Sequence, residues 1–256
     1  MFIDTHTHLY VEQFDEDRDS VVQECLDAGI TKLLLPNIDS SSIESLHQLA
    51  SSYPDICLPM MGLHPCSVTE SFQEELDIAK SWLDKRDYIA IGEIGIDLYW
   101  DKSTLPYQVE AFKQQIEWAK ELGLPIVIHA RDSFDEIFEV LDEVNDERLR
   151  GIFHCFTGTI DQAKKVLGYG DFLLGIGGVV TFKNGGLDKT LQEIDLDHLV
   201  LETDSPYLAP TPNRGKRNKS PYLTLIVDKL VDIYGKTPAE IGEITSANAV
   251  KMFNLK

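Results

Sequence analysis

The chain has 256 residues, a length that one (β/α)8 barrel reaches by itself. Its 43 acidic and 23 basic residues leave a net charge of −20. That field repels polyanions at long range and excludes tight, non-specific duplex binding, although an enzyme that grips a few phosphates through metal ions stays compatible with it.

β-like runs alternate with amphipathic segments along the whole chain. The first run, Phe2–Leu9, is followed by a helical segment at Asp15–Ala28, which Gly29 closes. Lys32–Ile38 precedes Ser40–Ser52, Ile56–Leu63 precedes Glu70–Lys85, and Ile89–Ile96 precedes Pro106–Leu122. Pro125–Ala130 then leads into Ser133–Val144, Gly151–Phe156 into Ile160–Gly168, and Phe172–Gly177 into the shorter Leu187–Ile194. After Leu199–Thr203 come two helical segments, Pro221–Tyr234 and Pro238–Phe253. Continuous apolar strands of this kind suit parallel pairing with both faces covered. Eight of them alternating with helices predict an α/β TIM barrel, and no linker or repeat divides residues 1–256, so one domain is expected.

The cysteines Cys25, Cys57, Cys66 and Cys155 form no C-x-x-C pair and read as reduced thiols. The start, MFIDTHTHLY, lacks the basic and apolar regions of a signal peptide, and no apolar run approaches the ~18 residues that span a bilayer. A cytoplasmic protein without a membrane partner is expected. No obligate protein partner is evident.

The chemistry gathers at strand ends. Period-two geometry puts Asp4, His6 and His8 on one face of the first strand, with Thr5 and Thr7 on the other. Two imidazoles at the lumenal end of a barrel strand are a metal signal. Glu93 in IGEIGID, His129 in IVIHARD, His154 in IFHCFTG and Asp204 in LETDSP stand at or near the C-terminal ends of four further strands. That is the end where TIM barrels place catalytic groups. Four imidazoles and two carboxylates exceed one tetrahedral zinc, whereas two ions sharing a carboxylate would use them all. The ions would also relieve repulsion between buried carboxylates. Nitrogen-rich donors favour zinc or manganese, with cobalt or magnesium also possible.

At these six residues the chain resembles the TatD family, the metal-dependent deoxyribonuclease branch of the amidohydrolase-like barrels. The likeness runs through D-T-H-T-H at Asp4–His8, G-L-H-P at Gly62–Pro65, G-E-I-G-I-D at Gly92–Asp97, H-A-R at His129–Arg131, H-C-F-T-G at His154–Gly158 and L-E-T-D-S-P-Y at Leu201–Tyr207. The resemblance implies one metal held by His6, His8, Asp204 and Glu93, with Glu93 bridging to a second held by His129 and His154. It also implies hydrolysis of DNA, often from a 3′ end. A divalent ion brings the pKa of a water toward neutrality, and Asp204 is the residue to accept that proton.

Other residues belong to the same reading. Glu202, two positions before Asp204, would bond a ligand histidine, and Asp4 would do so one layer below His6. His64 follows the third strand and would contact phosphate or protonate the leaving oxygen. Arg131 at the mouth of its strand would pair with phosphate, cap a helix or form a salt bridge. Cys155 alternates away from the site. The NRGKRNK segment supplies Arg214, Lys216, Arg217 and Lys219 as a local phosphate patch, with Tyr207 and Tyr222 beside it and Phe182 and Trp100 as weaker stacking candidates. The expected partner is DNA, single-stranded or at strand ends. Two rivals are a hydrolase of a small ester, amide or phosphotriester on the same barrel, and a metal-binding scaffold without turnover.

Overall fold

The computed structural model describes residues 1–183 and 185–256. Eight strands and nine α-helices follow one another among the described residues. β1 (Phe2–Asp4), α1 (Arg18–Asp27), β2 (Ile30–Leu35), α2 (Ile43–Ser52), β3 (Cys57–Pro59) and α3 (Phe72–Leu83) form the first part. β4 (Ile91–Asp97), α4 (Leu105–Leu122), β5 (Ile126–Arg131), α5 (Phe134–Val144), β6 (Gly151–Phe153) and α6 (Ile160–Gly168) form the middle. β7 (Phe172–Ile176), α7 (Leu187–Leu191), β8 (Leu199–Leu201), α8 (Leu223–Tyr234) and α9 (Pro238–Phe253) complete it.

All neighbouring strands pair in parallel, in the orders β1-β2-β3 and β4-β5-β6-β7-β8. The two sheets meet through single bridges, Met61 with Ile91 and Thr7 with Ser205. Thr5 N–H also donates to Leu201 O at 2.9 Å, joining the end of β1 to β8. The fold is a TIM barrel.

Local chemistry sets several boundaries. Thr159 and Gln162 form a capping box that opens α6, and Thr237 and Glu240 form one that opens α9 behind Pro238. Gly123 and Gly235 end α4 and α8 in the left-handed region.

Two apolar layers result. One lies between the strands and the surrounding helices. The other fills the barrel's lower interior: Ile3, Leu34, Val127, Ile152 and Val200 pack against Ala249, Met252 and Phe253 of α9. The extra helix therefore stoppers the floor, and the metal-ligating residue types occupy the opposite end.

Most strands end sooner than the sequence predicts. β1 stops at Asp4, not Leu9, and β3 stops at Pro59, not Leu63. The chain beyond those points leaves the ladder and spends its backbone groups on single bonds across the mouth, such as His8 N–H to Ser205 O at 2.8 Å. This corrects the expected face of Asp4. Ile3 points to the interior cluster, and the alternation breaks after Asp4, so His6 does not share its face. Asp4 instead accepts from Thr203 N at 2.9 Å and Thr203 Oγ1 at 2.6 Å, and from His6 N at 3.3 Å. Burial pushes its carboxyl up to about 7. It braces the end of β8 against β1 and touches no ligand imidazole.

Candidate metal centre

His6 and His8 follow β1, Glu93 lies within β4, His129 within β5, His154 directly after β6, and Asp204 three residues after β8. The fold gathers all six at one end of the barrel. His6 Nε2 and His8 Nε2 are 3.3 Å apart, and they lie 3.0 and 3.5 Å from Glu93 Oε2. Asp204 Oδ1 is 3.8 Å from the first nitrogen and 3.6 Å from the second. Four donors at about 2.0–2.1 Å from one tetrahedral ion would stand about 3.3 Å apart, so this set fits a divalent cation. The other Glu93 oxygen, Oε1, faces a second set: His129 Nδ1 at 2.8 Å, His154 Nε2 at 3.5 Å and His64 Nε2 at 3.4 Å.

Which nitrogen offers its lone pair depends on what the other nitrogen touches. Tyr10 Oη donates to Pro36 O at 2.5 Å, so it can only accept from His8 Nδ1, 2.9 Å away. His8 Nε2 is thereby left as a lone pair facing Asp204 and Glu93. Asp97 Oδ2 accepts the His129 Nε2–H at 2.8 Å, which leaves the Nδ1 lone pair toward Glu93. Glu202 Oε1 lies 2.9 Å from His154 Nδ1, although off the line of a hydrogen bond, and accepts Cys155 N–H at 2.6 Å. His64 is reversed: Cys66 N–H donates to its Nδ1 at 3.0 Å, so the proton of the neutral ring sits on Nε2 and points into the site. His64 is built as a donor, not a ligand. Tyr10 and Asp97 escaped the sequence reading. Each stands at alternating spacing from a recognised residue, Tyr10 two after His8 and Asp97 four after Glu93, and that spacing was the available signal.

The packing demands space as well as charge. Gly175 lies under Glu202, where a Cβ would stand 2.2 Å from Oε2. Asp204 holds a φ of 56°, uncommon outside glycine, fixed by its N–H to His6 O at 2.9 Å. His6 Nδ1 and Glu202 Oε2 are buried without a protein partner.

The electrostatics follow from burial among carboxylates. Burial, with His154 beside it, holds His6 well below the usual imidazole value. The two rings stack at 3.5 Å, where both cannot carry charge. Burial opposes charge on His154, but Glu202 and Glu93 outweigh it and push the ring up to about 10. Glu93 is buried too, yet His64, His6 and His154 hold it well below the carboxylate range. Burial raises Asp204 to about 6.

The other sequence candidates divide. Tyr207 is half-exposed, with its ring 5.9 Å from that of His8. Arg131 caps no helix: its guanidinium lies over the Tyr99 ring at 3.7 Å. Arg214 lies over Phe182 at 3.9 Å, and Lys216 is exposed. Arg217 is a correction. It grips Asp17 with both terminal nitrogens, at 2.9 and 2.5 Å, and donates to Gln13 O at 2.6 Å. Lys219 pairs with Glu24 in the same way. An acidic surface supplies internal partners for these cations, so they fasten the loop to α1 and the residues before it and present no phosphate patch.

A family model described as TatD related DNase matches residues 3–254. The chain belongs to that family. It is 36% identical over 256 residues to the metal-dependent hydrolase YabD of Bacillus subtilis, covering 100% of both chains. It is 34% identical to a protein of Erwinia billingiae named 3'-5' ssDNA/RNA exonuclease TatD, covering 98% of each. Among solved structures, the TatD homolog YjjV of Escherichia coli K12 superposes with a TM-score of 0.92 at 26% identity, over 100% of this chain and 98% of that one. This TatD-family chain is a metal-dependent hydrolase acting on ester bonds. Its clusters of His and Glu supply the donors such a hydrolase needs. Among the described residues, no helix is long and apolar enough to cross a membrane.

Proposed function

We propose that this TatD-family hydrolase is a single-domain cytoplasmic nuclease that removes nucleotides from single-stranded DNA ends, with 3′ polarity, using two divalent ions bridged by Glu93. The observation that carries the reading is the division of Glu93: Oε2 lies 3.0 Å from His6 Nε2, and Oε1 lies 2.8 Å from His129 Nδ1. His6, His8 and Asp204 would hold one ion, His129 and His154 the other. Zinc or manganese suits the imidazoles. The name of the Erwinia relatives supports the substrate and polarity, and four unpaired cysteines support the compartment.

Bound there, the ions would supply positive charge for the phosphodiester oxygens and bring the pKa of a water toward neutrality. Asp204, whose Oδ1 lies 3.8 and 3.6 Å from His6 Nε2 and His8 Nε2, would accept the proton of the attacking water. His64 offers its Nε2–H to the phosphate or the leaving oxygen. Its Nδ1 accepts from Cys66 N–H, so the neutral ring carries on Nε2 the proton it would give. Tyr10 and Asp97 keep the rings of His8 and His129 turned.

The test is metal content and cleavage together. Glu93→Gln should lose occupancy of both positions and most turnover, measured by elemental analysis and with 3′- and 5′-blocked labelled oligonucleotides. Two ions retained with normal activity would remove the bridge. Hydrolysis of small esters with no cleavage of any oligonucleotide would replace the nuclease by the small-ester hydrolase.

A further inference from the structure

We propose that Tyr99, Trp100 and Arg131 form a stacking platform for a nucleobase of the bound strand, and that Asp97 fixes this platform against the metal centre. The proposal rests on the nuclease reading above.

Immediately after β4 the chain exposes two large rings in succession, Tyr99 at 54% and Trp100 at 71%. They meet edge to face with centroids 4.9 Å apart and planes at 89°. The Arg131 guanidinium, at the end of β5, lies 3.7 Å from the Tyr99 centroid and 5.5 Å from that of Trp100. Arg217 and Lys219 are consumed by carboxylates, but Arg131 has no such partner among the described residues and is held by aromatic faces. Three planar groups are thus locked together and open to solvent.

One carboxylate ties them to the chemistry. Asp97 Oδ1 accepts the backbone N–H of Tyr99 at 3.0 Å and of Trp100 at 3.2 Å. Its other oxygen sits 2.8 Å from His129 Nε2. Leu98 N–H donates to Arg131 O at 2.9 Å, closing the link from the other side. The backbone beneath the platform is therefore tied to a proposed metal ligand through Asp97, its positioning residue.

The neighbouring surface selects the occupant. The cleft that Tyr99 and Arg131 border has a volume of about 670 Å³ and is rimmed by Asp132, Asp135 and Glu136. Those carboxylates repel phosphate, whereas an uncharged base needs only a planar face. Stacking of this sort tolerates every base, because each has a π-face.

The test uses the metal-loaded protein and a cleavage-resistant phosphorothioate single strand, with binding read by fluorescence anisotropy. Base-on-aromatic stacking contributes about 1–3 kcal/mol per base, so Trp100→Ala should weaken binding roughly 5- to 150-fold, with Trp100→Phe recovering much of it. A strand with abasic sites at its terminal positions should bind the parent protein as weakly as the intact strand binds the variant, and the two losses should not add. Thermal melting checks that Trp100→Ala remains folded. Tight binding by the variant, or fully additive losses, would overturn the platform while leaving the nuclease reading intact. If the parent protein neither binds nor cleaves oligonucleotides, both readings fall.

Discussion

A histidine can face a metal with one nitrogen only, and the group behind the ring decides which. Tyr10, Asp97 and Glu202 stand behind three of the four proposed imidazole ligands, and Cys66 N–H stands behind His64 with the opposite sense. One ring is thereby built to donate a proton, and those of His8 and His129 to offer lone pairs. Among the described residues, neither His6 nor His154 has a hydrogen-bond partner on Nδ1. Groups in this position commonly contribute 10- to 100-fold to metal affinity. Tyr10→Phe keeps the ring and removes only the oxygen that accepts from His8, so we expect a folded protein whose metal affinity falls by about 10-fold or more. Chelator competition measures this. An unchanged metal dissociation constant would mean that packing alone orients His8.

At the scale of elements, the strand ends carry the site and the loops decide what reaches it. β1 and β8 stop early, and the released chain brings His6, His8 and Asp204 together through cross-mouth bonds. β4 runs further, from Ile91 to Asp97, and so spans from Glu93 to the residue that holds His129. Its middle requires glycine: at Gly95 φ is 138°, and a Cβ would stand 2.2 Å from His129 O. The NRGKRNK loop divides by partner. Arg217 and Lys219 anchor it, whereas Arg214 and Lys216 make no salt bridge among the described residues and, on the proposed function, would be the ones to meet phosphate. Each phosphate neutralised on a single strand contributes about 0.7 to the salt slope. Changing Arg214 and Lys216 together to Ser should therefore flatten the slope of log affinity against log salt by about 1.4 in magnitude. Arg217→Ser should barely move the slope. Equal effects from the paired and the unpaired cations would show that the loop acts only as a connector.

The whole molecule carries a net charge of −20 and buries Glu93, Asp97, Glu202 and Asp204 at one mouth. Divalent ions bound there would offset the local repulsion and bind the folded state in preference to the unfolded chain. An ion present at 100 times its dissociation constant stabilises by about 2.7 kcal/mol. For a chain of this size that corresponds to a fall in Tm of roughly 5–10 °C on removal. Calorimetry with and without a chelator should show this loss, restored by adding back zinc or manganese. A melting temperature indifferent to chelation would argue against a site organised around metal.

That His6, His8, Glu93, His129, His154 and Asp204 gather at one end of the barrel was readable from the sequence, because each is a donor-bearing residue within or just after an apolar run, and apolar runs of strand length declare themselves. The alternation with helices was readable for the same reason, and it gave the barrel. The motifs around those residues gave the family. The sequence did not reveal where regular pairing stops, because a strand end is set by which backbone groups find partners across the mouth. Asp4 was misplaced on that account. It did not reveal that Tyr10 and Asp97 turn the imidazoles, since a hydrogen bond between side chains depends on direction as well as spacing. Nor did it separate Arg217 and Lys219 from Arg214 and Lys216: four cations in one loop look alike until the fold brings Asp17 and Glu24 beside two of them. Local pattern determined the elements and the donors. Contacts between residues as far as 204 positions apart, such as Gln13 with Arg217, decided which of those donors are available for function.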